Sequence, residues 1–126
     1  MKAILLLFLV VLAISIPDQA PVIGIYTQTN FGDLPKDPSN TYISASYVKY
    51  MQTSGAQVVP IFAFTKDKSY FDKLLPQING VVFPGGDEAI NINNLWTSNA
   101  DYILKYAINQ TNNGNPFAVW GICLGW

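Results

Sequence analysis

From residue 21 onward, four short apolar runs alternate with segments of helical or turn character. Val22 to Gln28 (VIGIYTQ) is β-branched and aromatic and predicts a buried strand between Pro21 and the polar stretch Thr29 to Asn40. Gly32, Pro35, Pro38 and Asn40 mark that stretch as loop. Tyr42 to Thr53 takes up helical spacing, with Ile43, Tyr47, Tyr50 and Met51 on one face, Asn40 or Thr41 as its cap, and Gly55 at its left-handed C-terminal position. Gln57 to Phe62 (QVVPIF) predicts a second strand, which Pro60 sends to a sheet edge or a strand end. Ser69 to Leu75 reads as a short amphipathic helix closed by Pro76. Asn79-Gly80 turns the chain into a third strand, Val81 to Phe83, which stops at Pro84-Gly85-Gly86. Asp87 to Asn99 is Asn-rich loop around a short helical piece near Leu95-Trp96. A helix follows over Ala100 to Gln110 with Tyr102, Ile103, Tyr106 and Ala107 inward, and Phe117 to Trp120 (FAVW) is the fourth strand.

Strands alternating with helices predict an α/β fold: a three-layer parallel sheet flanked by helices, with right-handed crossovers. No internal repeat, heptad seam or low-complexity linker interrupts residues 21–126, which read as part of one domain. Ahead of them, Met1-Lys2-Ala3 leads into an apolar run whose one polar residue is Ser15. A single positive charge, a short apolar run and Ala13-Ile14-Ser15 as a small-x-small site predict a signal peptide over residues 1–15. The run is shorter than the roughly 20 apolar residues a membrane span requires, so no stable insertion is expected after cleavage. Asn109-Gln110-Thr111 is an N-glycosylation sequon that fits the same route. The expected location is the secretory pathway, leading outside the cell or to a lysosome or vacuole.

Composition narrows the chemistry. Half of the 126 residues are hydrophobic, which excludes an intrinsically disordered chain. Seven Lys and no Arg face eight acidic residues for a net charge of −1, with no basic block to neutralise a phosphate backbone, so no nucleic-acid partner is expected. One Cys excludes an internal disulfide framework. His is absent, which removes the usual general base and the commonest metal ligand; neither a metal nor a cofactor is expected.

In an open parallel sheet, ligands bind outside the carboxyl ends of the strands. Gly85-Gly86 after the third strand and Gly121-Ile122-Cys123-Leu124-Gly125 after the fourth both fall there. The second has the pattern of a nucleophile elbow, with Cys123 in the nucleophile position. A sharp strand-to-helix turn holds such a residue in a strained backbone conformation, and Gly121 and Gly125 leave space for it. The Leu124 N–H then points at a developing oxyanion, and Gly85 or Gly86 supplies a second donor.

Tyr42 to Ile61 (YISASYVKYMQTSGAQVVPI) closely resembles the early helix and second strand of γ-glutamyl hydrolases, relatives of the class I glutamine amidotransferases. Pro21 to Gln28 (PVIGIYTQ), Ile78 to Gly86 (INGVVFPGG) and Phe117 to Gly125 (FAVWGICLG) are similar to that family in the same order and spacing. The resemblance implies a class I glutamine amidotransferase-like sheet of flavodoxin-like strand order. It implies a cysteine hydrolase that cleaves γ-linked glutamates from folylpoly-γ-glutamates through a γ-glutamyl thioester, with a homodimer allowed. In that reading Cys123 is the nucleophile and the amides of Leu124, Gly85 and Gly86 form the oxyanion hole.

A free thiol has a pKa of about 8.5, so the nucleophile needs activation. The family's catalytic His and the acidic residue that orients it lie beyond the elbow, and this chain contains no general base. Carboxylates at Asp87 and Glu88 disfavour a neighbouring thiolate and do not substitute. The 126 residues therefore read as the N-terminal part of a longer domain, truncated after the elbow and inactive alone. With no Arg to clamp the substrate's carboxylates, Lys49 reads as a solvated surface charge, and Tyr26, Tyr42 and Tyr47 as packing residues. The alternatives are a glutamine amidotransferase (glutaminase) domain, which shares the elbow, and a secreted non-enzymatic binding fragment.

Overall fold

The computed structural model describes residues 20–29, 40–91 and 93–126; the leader expected over 1–15 and the loop expected at Gly32, Pro35 and Pro38 lie outside the described residues. Its elements run β1 (Val22–Tyr26), β2 (Gln28–Thr29), β3 (Thr41–Tyr42), α1 (Ala45–Thr53), β4 (Gln57–Ile61), α2 (Ser69–Leu74), a 3₁₀ turn (Leu75–Gln77), β5 (Gly80–Phe83), α3 (Leu95–Asn112), β6 (Ala118–Gly121) and a second 3₁₀ turn (Cys123–Gly125). Four strands form one sheet in the order β4-β1-β5-β6, and every pairing in it is parallel. By chain order of these strands this is second-first-third-fourth, the flavodoxin-like order that the resemblance implies.

The register explains the hydrophobic pattern. In β5, at the centre, all four residues are buried, as expected where both faces are covered. Val82 packs with Ile25 and Met51 on the α1 face, whereas Val81 and Phe83 join Tyr26, Ile61, Phe71, Leu75, Ile103 and Ala107 on the face of α2 and α3. The sheet thus lies between one helix and two. Pro60 stands opposite Ile25 on the edge strand β4, where a missing N–H is tolerated. Pro76 sits in the 3₁₀ turn that ends α2, and Gly55 takes φ +87° after α1, both as expected.

Several features differ from the sequence expectation, beginning with the first strand, which ends at Tyr26 rather than Gln28. Thr41 and Tyr42 do not begin the helix: they pair antiparallel with Thr29 and Gln28. Consequently α1 starts at Ala45, behind an extended Ser44 (φ −61°, ψ 130°), and neither Asn40 nor Thr41 caps it. Tyr50, expected inward, is 52% exposed and packs edge-on against Trp120 with ring centroids 5.5 Å apart. Finally, α3 begins at Leu95 rather than Ala100, because the Asn94 side chain accepts the Thr97 N–H at 2.7 Å and caps it. The helix thereby takes in Trp96, which is buried. Among the described residues no helix is long and apolar enough to cross a membrane.

Candidate active site

The two glycine-containing turns after β5 and β6 meet at the carboxyl end of the sheet. Strand pairing brings them together: Phe83 is in register with Gly121, and the Ile122 N–H donates to the Phe83 carbonyl at 3.0 Å. The chain then tightens into a single 3₁₀ turn, with the Gly125 N–H on the Ile122 carbonyl and the Trp126 N–H on the Cys123 carbonyl, both at 3.0 Å. Cys123, at the start of this turn, stands at φ +53°, the one left-handed non-glycine residue among those described. Such a conformation costs about 1–3 kcal/mol and persists only where the surroundings impose it. Its thiol is exposed.

Close approach explains the elbow glycines. A Cβ on Gly121 would stand 2.3 Å from the Gly125 carbonyl oxygen, and one on Gly125 would stand 2.0 Å from the Phe83 carbonyl oxygen. The contacts that exclude side chains are thus backbone contacts within the turn and to β5. Leu124, between them, tucks its side chain against the α2/α3 core.

The other turn adjoins Cys123. A Cβ on Gly85 would be 3.1 Å from the Cβ of Cys123 and 3.1 Å from the Tyr47 hydroxyl oxygen. The Gly85 N–H donates to that hydroxyl at 3.0 Å. Tyr47 therefore reaches the site from α1, although its spacing alone marks it as a packing residue. Gln28 donates from Nε2 to the Pro84 carbonyl at 3.3 Å and is buried. Glu88 accepts the Thr29 N–H at 2.6 Å and also the Thr29 hydroxyl, so its carboxylate is occupied in fixing the turn to β2. Tyr42, beside it, has its phenol pushed up by burial first and then by the charge of Glu88.

Sequence reasoning missed Gln28, Tyr47 and Glu88 as parts of this assembly. The usable signal was Thr27-Gln28-Thr29, three polar residues in a row at the carboxyl end of a buried strand. Of the other marked residues, Tyr26 is core: its hydroxyl donates to the Trp96 carbonyl at 2.7 Å, its ring lies against Phe83, and burial drives its phenol far above the ordinary range. Lys49 and Asn109 are both exposed, Asn109 on α3. Among the described residues no cluster of His, Cys, Asp and Glu could hold a metal ion.

The sequence profile of the family described as peptidase C26 matches residues 21–126. The chain belongs to the peptidase C26 family. The peptidase C26 match takes in both turns, Pro84 to Gly86 and Gly121 to Gly125. The chain is 40% identical over 108 residues to "Gamma-glutamyl hydrolase" of Mus musculus, covering 86% of this chain and 33% of that protein. It is 37% identical over 108 residues to "Gamma-glutamyl hydrolase B" of Dictyostelium discoideum, covering 86% of this chain and 31% of that one. With "Gamma-glutamyl hydrolase" of Homo sapiens the identity is 37% over 106 residues, covering 84% and 33%. The chain thus spans about a third of the length of these curated relatives.

Proposed function

We propose that this chain carries the nucleophile half of a γ-glutamyl hydrolase that cleaves the γ-glutamyl bonds of folylpoly-γ-glutamates. The supporting observation is the left-handed Cys123 beside the Gly85 turn, in a segment 37–40% identical to proteins named γ-glutamyl hydrolase. In this reading the Cys123 thiolate attacks the γ-carbonyl, the amine of the departing product takes up a proton, and a γ-glutamyl thioester remains until water hydrolyses it. The Leu124 and Gly86 N–H groups donate to the oxyanion, while the Gly85 N–H is held by Tyr47. The resemblance implies a His as the general base, and none of these 126 residues is a His. Residues 1–126 alone are accordingly expected not to turn over. We place the protein in the secretory pathway, bound for the exterior or a lysosome or vacuole, on the strength of residues 1–15 and of an Asn109 open to glycosylation.

Incubation of the full-length protein with pteroyl-di-γ-glutamate tests the assignment. Release of glutamate is expected, with loss of release in Cys123→Ser. Deamidation of free glutamine without cleavage of pteroyl-di-γ-glutamate would replace this reading with a glutaminase.

A further inference from the structure

The carboxyl end of β1 and the first residues of β2 carry three consecutive polar residues that are almost fully buried: Thr27, Gln28 and Thr29 are 3%, 3% and 8% exposed. Each ties down a different loop. Thr27 accepts the Ala63 N–H on its hydroxyl at 3.0 Å and the Trp96 Nε1–H on its carbonyl at 3.1 Å. Thr29 holds Glu88 through its N–H and hydroxyl. Gln28, between them, faces the Pro84-Gly85-Gly86 turn. Besides donating to the Pro84 carbonyl, its amide lies so close to Gly86 that an added Cβ would stand 2.0 Å from Oε1, 2.2 Å from Nε2 and 2.3 Å from Cδ. Burying a primary amide costs free energy unless its hydrogen bonds are met, and Met or Leu would fill similar volume without that cost. A side chain on Gly86 would in turn have to push the Gln28 amide aside.

We propose that Gln28 is a positioning residue of the oxyanion hole: acting through the Pro84–Gly86 turn, it aims the Gly86 N–H at the carbonyl oxygen of an acyl group attacked by Cys123. This rests on the acyl-transfer reading of Cys123 given above. Removing an oxyanion donor outright slows turnover by about 10²–10³. A donor left in place but misaimed is expected to lose about 10–100-fold.

Two reactions of one thiolate separate this role from a structural one. In acylation by p-nitrophenyl acetate, the Cys123 sulfur adds to the ester carbonyl and passes through a tetrahedral oxyanion. The C–O bond then breaks, p-nitrophenolate leaves with the electron pair, and a thioester remains. In alkylation by iodoacetamide the same sulfur displaces iodide from a saturated carbon, and no oxyanion forms. In the full-length protein, with both rates read on the Cys123 peptide by mass spectrometry, Gln28→Met is expected to slow acylation about 10–100-fold. Its alkylation should stay within about twofold. Gln28→Ala reads the same ratio if Gln28→Met does not fold. Gly86→Ala should carry the same signature, and the Gln28→Ala/Gly86→Ala double variant should be no slower than Gly86→Ala, because removing the amide removes the clash. Unchanged acylation in Gln28→Met, parallel loss of both reactions, or additive losses in the double variant would each overturn the proposal. A wild-type protein that acylates at Cys123 but leaves pteroyl-di-γ-glutamate intact would sink the substrate assignment alone.

Discussion

The turn after β5 and the elbow after β6 sit side by side, yet they are held in opposite ways. The elbow is held by its own backbone: Gly121 and Gly125 approach within a few residues of each other, and β5 supplies the remaining contact at Phe83. The Pro84–Gly86 turn is held by side chains from far away in sequence, with Gln28 and Tyr47 separated from their acceptor or donor by 56 and 38 positions. Glu88, just past the turn, reaches Thr29 across 59. A nucleophile must be strained in one direction, which a short local turn achieves. The Leu124 N–H is carried by that same turn, whereas a donor at Gly86 lies on a separate loop and must be aimed across to Cys123, which requires ties in several directions.

The largest expected effect comes from removing the proposed nucleophile: Cys123→Ala in the full-length protein should lower kcat for γ-glutamyl cleavage by about 10⁴-fold or more, read by steady-state kinetics, with little change in stability. Next, Gly125→Ala forces a methyl group against the Phe83 carbonyl and should destabilise the fold by about 1–3 kcal/mol in urea titration. A cost near zero would mean that the elbow relaxes freely and is not self-held. In the other turn, Tyr47→Phe leaves the Gly85 N–H without its acceptor and should cost about 1 kcal/mol by the same titration.

The smallest effect serves as a control away from both turns. Asp67 accepts the Ser69 N–H at 2.9 Å ahead of α2, and hydrogen bonds from Ser69 lower its carboxyl pKa. A carboxyl depressed by folding stabilises the native state above the unfolded pKa and loses that contribution as the pH falls through the folded one. Asp67→Ala should therefore lower Tm slightly at neutral pH, and the gap from wild type should close as the pH drops below about 4. A gap that widened in acid would contradict the hydrogen-bond assignment.

The same contrast explains what could be read from the sequence. The four strands were legible because each is an apolar run bounded by turn residues, their parallel pairing because helices alternate with them, and their flavodoxin-like order only through the family resemblance. Gly121-Ile122-Cys123-Leu124-Gly125 was legible because its constraints lie within five residues and the strand beside them. The start of α3 was hidden because its cap, Asn94, is one of several Asn in a polar stretch and resembles loop. The two-residue strands β2 and β3 are too short to show any periodicity, so Tyr42 reads as the start of the helix. Tyr47 falls on the inner face of α1 and looks like any packing aromatic; only the crossing of α1 over the sheet delivers its hydroxyl to Gly85. Gln28 shows locally only as one of three consecutive polar residues at a strand end; its partner Pro84, like the Thr29 partner of Glu88, lies more than 50 positions away.

The central claim is that Cys123 forms the covalent bond to the γ-glutamyl group, and trapping that bond tests it most directly. The full-length protein is mixed with pteroyl-di-γ-glutamate, quenched in acid within the first turnover, digested and examined by mass spectrometry. A γ-glutamyl adduct on the peptide carrying Cys123, released by hydroxylamine and absent in Cys123→Ser, is the result predicted. Full turnover with no adduct on that peptide, or turnover that persists in Cys123→Ser, would contradict it.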